Sequence, residues 1–136
     1  MTVRLIKIIK NKVFKSKKGN LVKYVSSKDK FFRKFGEIYF NEIKLKKKKG
    51  WILHKKNHCL IVCVTGKVKF FFIDRLKKEK DITLTSNSGN ILKIPPRIWF
   101  AFQGLSKNSI IANLIETPHQ DNEVIKNQTV KNYFIK

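Results

Sequence analysis

The 136-residue sequence has no long apolar run that would cross a membrane. A spanning helix needs roughly 18 to 20 apolar residues, and no stretch approaches that length. The N-terminal segment MTVRLIKIIK alternates charged and aliphatic residues, unlike the apolar core of a signal peptide. We therefore expect a cytoplasmic protein without membrane insertion.

Cysteine is scarce, and the only two cysteines, Cys59 and Cys63, lie in one predicted strand. Four residues of strand span about 13 Å, too far for a disulfide. The sequence has neither a Cys-x-x-Cys pair nor a Cys/His spacing typical of metal sites. We expect two buried free thiols and no metal.

Acidic residues are also few: nine Asp and Glu stand against 31 Lys and Arg, which gives a net charge of +22. Such an excess would attract any polyanion. However, only four of these cations are arginine, the lysines are scattered along the chain, and no RNA- or DNA-binding motif accompanies them. A polyanion or nucleic-acid partner is therefore the last-ranked hypothesis, behind a compositional origin of the charge.

No segment of 15 residues shows the 3.6-residue period of an amphipathic helix. Eight to ten short apolar segments are instead separated by turn-forming residues, a pattern typical of an all-β sandwich or barrel of the jelly-roll kind. The length predicts one domain, 1–136. At most one short helix is expected, in the tail near Asn122 to Asn127.

The most hydrophobic stretch, Asn57 to Asp74, is predicted to form a hairpin that turns at Thr65-Gly66. Six successive apolar residues, Cys59 to Val64, fit a strand buried on both faces. Gly66 supplies a residue that adopts positive φ without steric cost.

In two predicted strands that precede this stretch, periodicity determines which side chains share a face. Tyr39 and Asn41 share one face of a strand that begins near Gly36, and Ile52 shares a face with His54 in the strand that begins near Trp51. A histidine near its ordinary pKa suits proton transfer, so His54 is the principal candidate.

Two motifs resemble a short cupin of the dTDP-4-dehydrorhamnose 3,5-epimerase and sugar-nucleotide 3,4-ketoisomerase superfamily. The first is GWILHKK, followed by VTGKVKFFFID, and the second is ILKIPPRIWFAFQGLS, followed by SIIANLIETPH. The resemblance covers roughly residues 36 to 125. It implies a cupin-type jelly-roll barrel of about nine or ten strands, usually a homodimer, that binds a nucleoside-diphosphate-4-keto-6-deoxyhexose without a metal or redox cofactor.

Several positions depart from the family pattern. Members read G-W-H-x-H-K-K and I-P-P-G-x-W-H-A-F, so Ile52 and Phe100 stand where two histidines are expected, while His54 matches the second histidine of the first motif. The epimerases' pocket lysine falls near Cys59 and their catalytic tyrosine near Asn113. The epimerases' C-terminal extension, which carries a carboxylate, is absent.

The resemblance assigns proton transfer to two residues and substrate binding to six. The catalytic candidates are His54 and Tyr39, and the substrate-binding candidates are Asn41, Lys55, Lys56, Arg97, Trp99 and Phe100. Proton abstraction next to the ketone for surface-polysaccharide synthesis is the implied function. The alternative is a cupin that binds a nucleotide sugar but has lost the chemistry.

Overall fold

The computed structural model describes residues 2–127, and in this range the chain forms twelve strands and one 3₁₀ turn, Val3–Leu5. The strands are β1 (Lys7–Ile9), β2 (Val13–Phe14), β3 (Leu21–Val22), β4 (Glu37–Lys44), β5 (Lys48–His54), β6 (Cys59–Thr65), β7 (Lys67–Ile73), β8 (Glu79–Thr85), β9 (Ile91–Ile94), β10 (Trp99–Gly104), β11 (Asn108–Ile115) and β12 (Val124–Lys126). The predicted domain of 1–136 extends past this range at both ends.

Two five-stranded antiparallel sheets make up the body of the described chain. The first sheet has the order β1-β9-β6-β11-β4, the second has the order β12-β5-β10-β7-β8, and β2 and β3 form a separate small hairpin. The all-β jelly-roll prediction is confirmed, although the sheets stay separate instead of closing into one barrel. The number of strands exceeds the expected nine or ten because it includes β2, β3 and β12, which are only two or three residues long.

Aromatic side chains of the second sheet form the centre of the core. Phe70, Phe72, Phe100 and Phe102 are buried on its inner face, and neighbouring ring centroids lie 5.5 to 6.4 Å apart. Each ring contributes about 1.5–3 kcal/mol by burial. Aliphatic residues of the first sheet pack against them, so the space between the sheets is largely filled.

The stretch Asn57 to Asp74 is not a hairpin, and that prediction is wrong. β6 belongs to the first sheet, between β9 and β11, whereas β7 belongs to the second, between β8 and β10. Each strand already has hydrogen-bonded neighbours on both edges, so neither has an edge left for the other. Gly66, with φ of 86°, carries the chain from one sheet to the other.

Other expectations for β6 are confirmed. Its outer face is covered by Tyr24, Val25, Phe31 and Phe32, which pack on a cluster that includes Leu60. The strand is therefore buried on both faces along most of its length. Cys59 and Cys63 are buried and free, as expected.

Side-chain carboxylates and strand edges determine the structure at both ends of the described chain. Val3–Leu5 forms a 3₁₀ turn, and the backbone N–H of Val3 donates to Asp74 Oδ2 at 3.0 Å. The helix expected near Asn122 to Asn127 is wrong, because β12 adds to the edge of β5 there. An open sheet edge offers backbone partners that a short isolated helix lacks. No helix among the described residues is long and apolar enough to span a membrane.

Candidate active site

A register shift in β5 decides which of its side chains enter the space between the sheets. Ile52 pairs with Phe100 and Lys49 pairs with Phe102, so β5 carries one extra residue between these two pairs. Paired residues point to the same face, so Lys49, Ile52 and His54 all face inward. Gly50 permits the bulge: its φ is 114°, and a Cβ there would lie 2.8 Å from the Cα of Ala101.

His54 lies at the end of β5 and is 4% exposed. Its Nδ1 lies 2.6 Å from Oε1 of Glu123, and its ring is nearly parallel to that of Phe100, with centroids 6.2 Å apart. Within residues 2–127 no atom meets Nε2 in hydrogen-bonding geometry. The histidine is therefore held through one nitrogen and presents the other to the interior.

Glu123 is fixed by more than the histidine. Its Oε2 accepts the backbone N–H groups of Lys56 at 3.0 Å and Asn57 at 3.4 Å, and its Oε1 accepts the side-chain amide of Asn57 at 2.9 Å. Glu123, just before β12, therefore holds a fixed carboxylate against the imidazole of His54.

The contact between His54 and Glu123 shifts the pKa of both side chains. Burial opposes protonation of His54, but interactions with the side chains of Cys59 and Glu123 outweigh burial and raise its pKa to about 9. Burial opposes ionisation of Glu123, but the backbone N–H of Lys56 and the His54 ring hold its pKa below the usual range. At neutral pH the pair is an imidazolium beside a carboxylate.

Tyr39 faces inward from β4, as predicted, and contacts the core cluster. Its hydroxyl accepts a hydrogen bond from Nδ2 of Asn113 at 2.8 Å. Burial raises the pKa of Tyr39 to about 12, with charge interaction from Cys59 and Glu123 adding to the rise. The phenol is therefore neutral at physiological pH and retains a proton to donate.

An open cleft of about 390 Å³ lies between β4, the edge strand of the first sheet, and β5 of the second sheet. Its lining residues are Asn41, Lys49, Gly50, Trp51, Ile52, Phe102 and Lys126. Asn41 shares the inner face of β4 with Tyr39, as predicted, and its Oδ1 accepts a hydrogen bond from Lys49 Nζ at 2.5 Å.

Five of the six predicted substrate-binding residues, all except Asn41, do not line this cleft. Lys55 and Lys56 follow His54, and their backbone N–H groups donate to Glu123. Arg97 is exposed, and its N–H donates to the carbonyl of His54 at 2.8 Å. Trp99 packs with Trp51 on the outer face of the second sheet. Phe100, by contrast, lies inside against His54.

Sequence periodicity alone did not identify Glu123 or Lys49. Glu123 is 69 residues from its histidine, so no local pattern links them. Regular strand alternation would place the side chains of Lys49 and His54 on opposite faces of β5. Only Gly50, next to Lys49, indicates a bulge that would change this alternation, because glycine within a strand often marks a bulge. No group of three or more His, Cys, Asp or Glu side chains among the described residues is placed to hold a metal ion.

The model of the family described as FdtA: WxcM-like, C-terminal matches residues 1–134. The chain belongs to this family. No curated protein matches the chain. Solved structures do share the fold of this FdtA-family member.

A dTDP sugar isomerase from Desulfovibrio desulfuricans G20 has a TM-score of 0.86 and 23% identity, with coverage of 92% of this chain and 85% of that chain. The sugar 3,4-ketoisomerase QdtA from Thermoanaerobacterium thermosaccharolyticum, solved in complex with TDP, has a TM-score of 0.82 and 22% identity, with coverage of 97% and 98%. A dTDP-4-dehydrorhamnose 3,5-epimerase from Sulfolobus tokodaii has a TM-score of 0.80 and 21% identity, with coverage of 89% and 76%. Together with the family match, these similarities confirm the resemblance found in the sequence.

Proposed function

We propose that this FdtA-family protein isomerises or epimerises a nucleoside-diphosphate-4-keto-6-deoxyhexose, most simply a dTDP-linked one, for surface-polysaccharide synthesis. The observation that carries the proposal is the arrangement of His54. The ring is buried, Glu123 fixes it through Nδ1, and Nε2 has no hydrogen-bond partner among the described residues. The family match and the enzymes named among the similar structures support the substrate class.

In the proposed reaction, the base is Nε2 of the minor fraction of His54 that is unprotonated near neutral pH, and it removes a proton from the carbon next to the C4 ketone. The C–H electrons form the enolate, and the neutral Tyr39 hydroxyl donates a hydrogen bond or a proton to its oxygen. Return of a proton to carbon gives the epimer or, at the other carbon of the enediol, the shifted ketone. No net oxidation occurs, so the proposed reaction needs no redox cofactor.

Two site features favour a single acid-base centre. Phe100 packs on the His54 ring, and Ile52 is the next inward-facing residue of β5 before His54. Both positions hold a histidine in the family pattern, but these apolar side chains cannot exchange a proton. We propose that Phe100 and Asn41 contact the sugar. The other predicted substrate-binding residues, Lys55, Lys56, Arg97 and Trp99, would then lie around the outside of the site.

Solvent exchange tests the proposal. The protein is incubated in D₂O with a dTDP-4-keto-6-deoxyhexose, and NMR follows deuterium at C3 and C5. We expect incorporation that falls at least about 100-fold in H54N, as for loss of a general base, and is unchanged in H119N, an exposed histidine outside the site. No exchange with folded wild-type protein across a panel of such sugars would overturn the proposal.

The loss of two family histidines favours one other function, a cupin that binds nucleotide sugar without chemistry. Under that alternative the nucleotide sugar raises Tm while exchange at C3 and C5 is absent. The two measurements on the same sample therefore separate the two functions.

We also propose that the protein acts in the cytoplasm as a homodimer. The outer face of β4 supports the dimer, since Phe40 is 67% exposed and Ile38 and Val64 are also exposed next to it. An exposed apolar patch of this kind is typical of an interface. Light scattering of the F40D variant tests this: we expect a monomer, whereas a wild-type monomer would contradict the proposal.

A further inference from the structure

Asn113 is a polar residue in an aliphatic part of the core. It lies on β11, is 2% exposed, and pairs with Ile61 of β6 and Tyr39 of β4. Ile111 and Ile115, which precede and follow it on the same face of the strand, belong to the hydrophobic cluster between the sheets. The amide of Asn113 therefore enters the interior from the inner face of the first sheet.

This amide uses only one of its two ends. Nδ2 of Asn113 donates to the Tyr39 hydroxyl at 2.8 Å, whereas Oδ1 has no hydrogen-bond partner in the described part of the chain. Asn57, which is also buried, has both ends paired: its Nδ2 donates to Oε1 of Glu123 at 2.9 Å, and its Oδ1 accepts from Thr117 at 3.2 Å. A buried acceptor without a partner destabilises a fold, so its presence calls for a role outside the fold.

The unpaired oxygen borders the same part of the interior as Nε2 of His54, which also has no partner among the described residues. Cys59 shares the inner face of β6 with Ile61, and its side chain interacts with both His54 and Tyr39. The imidazole of the second sheet therefore faces the amide and the phenol of the first sheet. A ligand between them would meet a base, a donor and an acceptor.

The direction of the hydrogen bond between Asn113 and Tyr39 determines what each group can still bind. The phenol oxygen accepts from Nδ2, so the phenol O–H is not used in that contact and can donate to a ligand. Oδ1 of Asn113 can only accept. A ligand must therefore present an acceptor to Tyr39 and a hydroxyl group to Asn113. A ketone and a hydroxyl on adjacent carbons have this arrangement.

We propose that Asn113 positions Tyr39 and determines specificity: Nδ2 directs the phenol O–H to the C4 ketone of the sugar, and Oδ1 accepts the hydrogen of the hydroxyl on C3. The inference rests on the proposed function, whose substrate carries these two groups on adjacent carbons. As His54 removes the proton from carbon, negative charge develops on the ketone oxygen. The phenol O–H then stabilises this charge, because it is already directed at that oxygen.

Binding of two sugars to the full chain tests the specificity. The probes are a dTDP-4-keto-6-deoxyhexose and its 3-deoxy analogue, and calorimetry is done on H54N, which lacks the base and should turn over neither. We expect H54N to bind the 3-deoxy analogue about 10- to 100-fold more weakly, because Oδ1 of Asn113 then has no donor. H54N/N113L should bind the two sugars within about threefold of each other. Equal discrimination by both proteins would overturn the assignment.

Deuterium exchange into the 3-deoxy sugar tests the positioning role in proteins that retain His54. Without the C3 hydroxyl, Asn113 can act only through Tyr39. We expect N113L to lower kcat about tenfold with less than a threefold change in KM, and N113L/Y39F to be no slower than Y39F. A double variant whose loss equals the product of the two single losses would show that Asn113 does not act through the phenol.

Thermal unfolding distinguishes this role from a structural one. N113L replaces an unpaired acceptor by an apolar side chain of similar size, so its Tm should be within about 2 °C of the wild-type value or higher. N57L is the matched control, because it removes a buried amide with both ends paired, and it should lower Tm by about 5 °C or more. An equal drop in both variants would mean that the fold requires Asn113, which contradicts the inference.

The outcomes also separate the inference from the proposed reaction. If the wild-type protein exchanges deuterium into the sugar but N113L keeps the preference for the 3-hydroxyl, the assignment of Asn113 is overturned and the proposed function stands. If the preference depends on Asn113 but no sugar exchanges deuterium, the hydroxyl contact stands. The proposed reaction then fails, together with the positioning of Tyr39 for it.

Discussion

Oε1 of Glu123 lies 2.6 Å from Nδ1 of His54, although 69 residues separate them along the chain. The contact joins the last described strand region to the end of β5 and leaves Nε2 facing the interior. A carboxylate on one imidazole nitrogen fixes the tautomer and orientation of the ring and makes the other nitrogen a stronger base.

Replacement of Glu123 by glutamine should lower the pKa of His54 by about one unit or more, because the charge that favours the imidazolium is removed. NMR titration of the imidazole measures this shift, and E79Q, at an exposed glutamate of β8, is the matched control. The pH profile of deuterium exchange should move in the same direction. An unchanged His54 titration in E123Q would mean that the carboxylate does not set the pKa.

Stability should depend on pH through the same pair. The pKa of His54 is raised from 6.5 to about 9 in the folded protein, so its contribution is fully present below about pH 6.5 and is lost as the pH rises through 9. Because the pKa of Glu123 is lowered, its contribution is lost only in acid. The cost of H54N in urea unfolding should therefore be larger at pH 6 than at pH 9.5, by on the order of a few kcal/mol. A cost independent of pH would contradict the charged pair.

Ile52 to histidine should restore a second imidazole on the inner face of β5, one inward position from His54. We expect the rate of deuterium exchange to rise at least about tenfold, since a positioned acid or base gives factors of this size or more. I52M keeps an apolar side chain of similar volume and serves as the control. Equal rates in the two variants would show that the missing histidine does not limit the reaction.

Gly50 to alanine should destabilise the fold and displace Lys49. The added Cβ would lie 2.8 to 2.9 Å from atoms of Ala101 and Phe100, at a φ of 114°. We expect a loss of about 3 kcal/mol or more in urea unfolding. G19A, in an exposed turn with φ of 130° and nothing within 4 Å, isolates the backbone strain and should cost only about 1 kcal/mol. Equal costs would remove the argument for close packing at the bulge.

Local pattern was sufficient for most of the strands. β4 appears where alternation indicates it, and Tyr39 and Asn41 share the inner face as their spacing predicts. These features depend on neighbouring residues in the chain. The sequence could therefore specify them.

Local sequence pattern could not predict which distant strands pair with each other. Thr65-Gly66 has the composition of a hairpin turn, yet only the partners on either side of β6 and β7 determine that the two strands part. Glu123 and β12 were missed because the edge of β5 creates their structure. The bulge likewise changes the parity of Lys49 through the register with β10, which no single strand reveals.

The crossing at Gly66 has a consequence for how the protein folds. Neighbours in the first sheet are never consecutive in the chain, and in the second sheet only β7 and β8 are. Few pairs can therefore form before distant segments meet, and such topologies fold slowly. During synthesis, His54 can contact the Glu123 carboxylate only after the segment that forms β12 has left the ribosome. An incomplete chain would therefore have His54 but no competent proton-transfer centre.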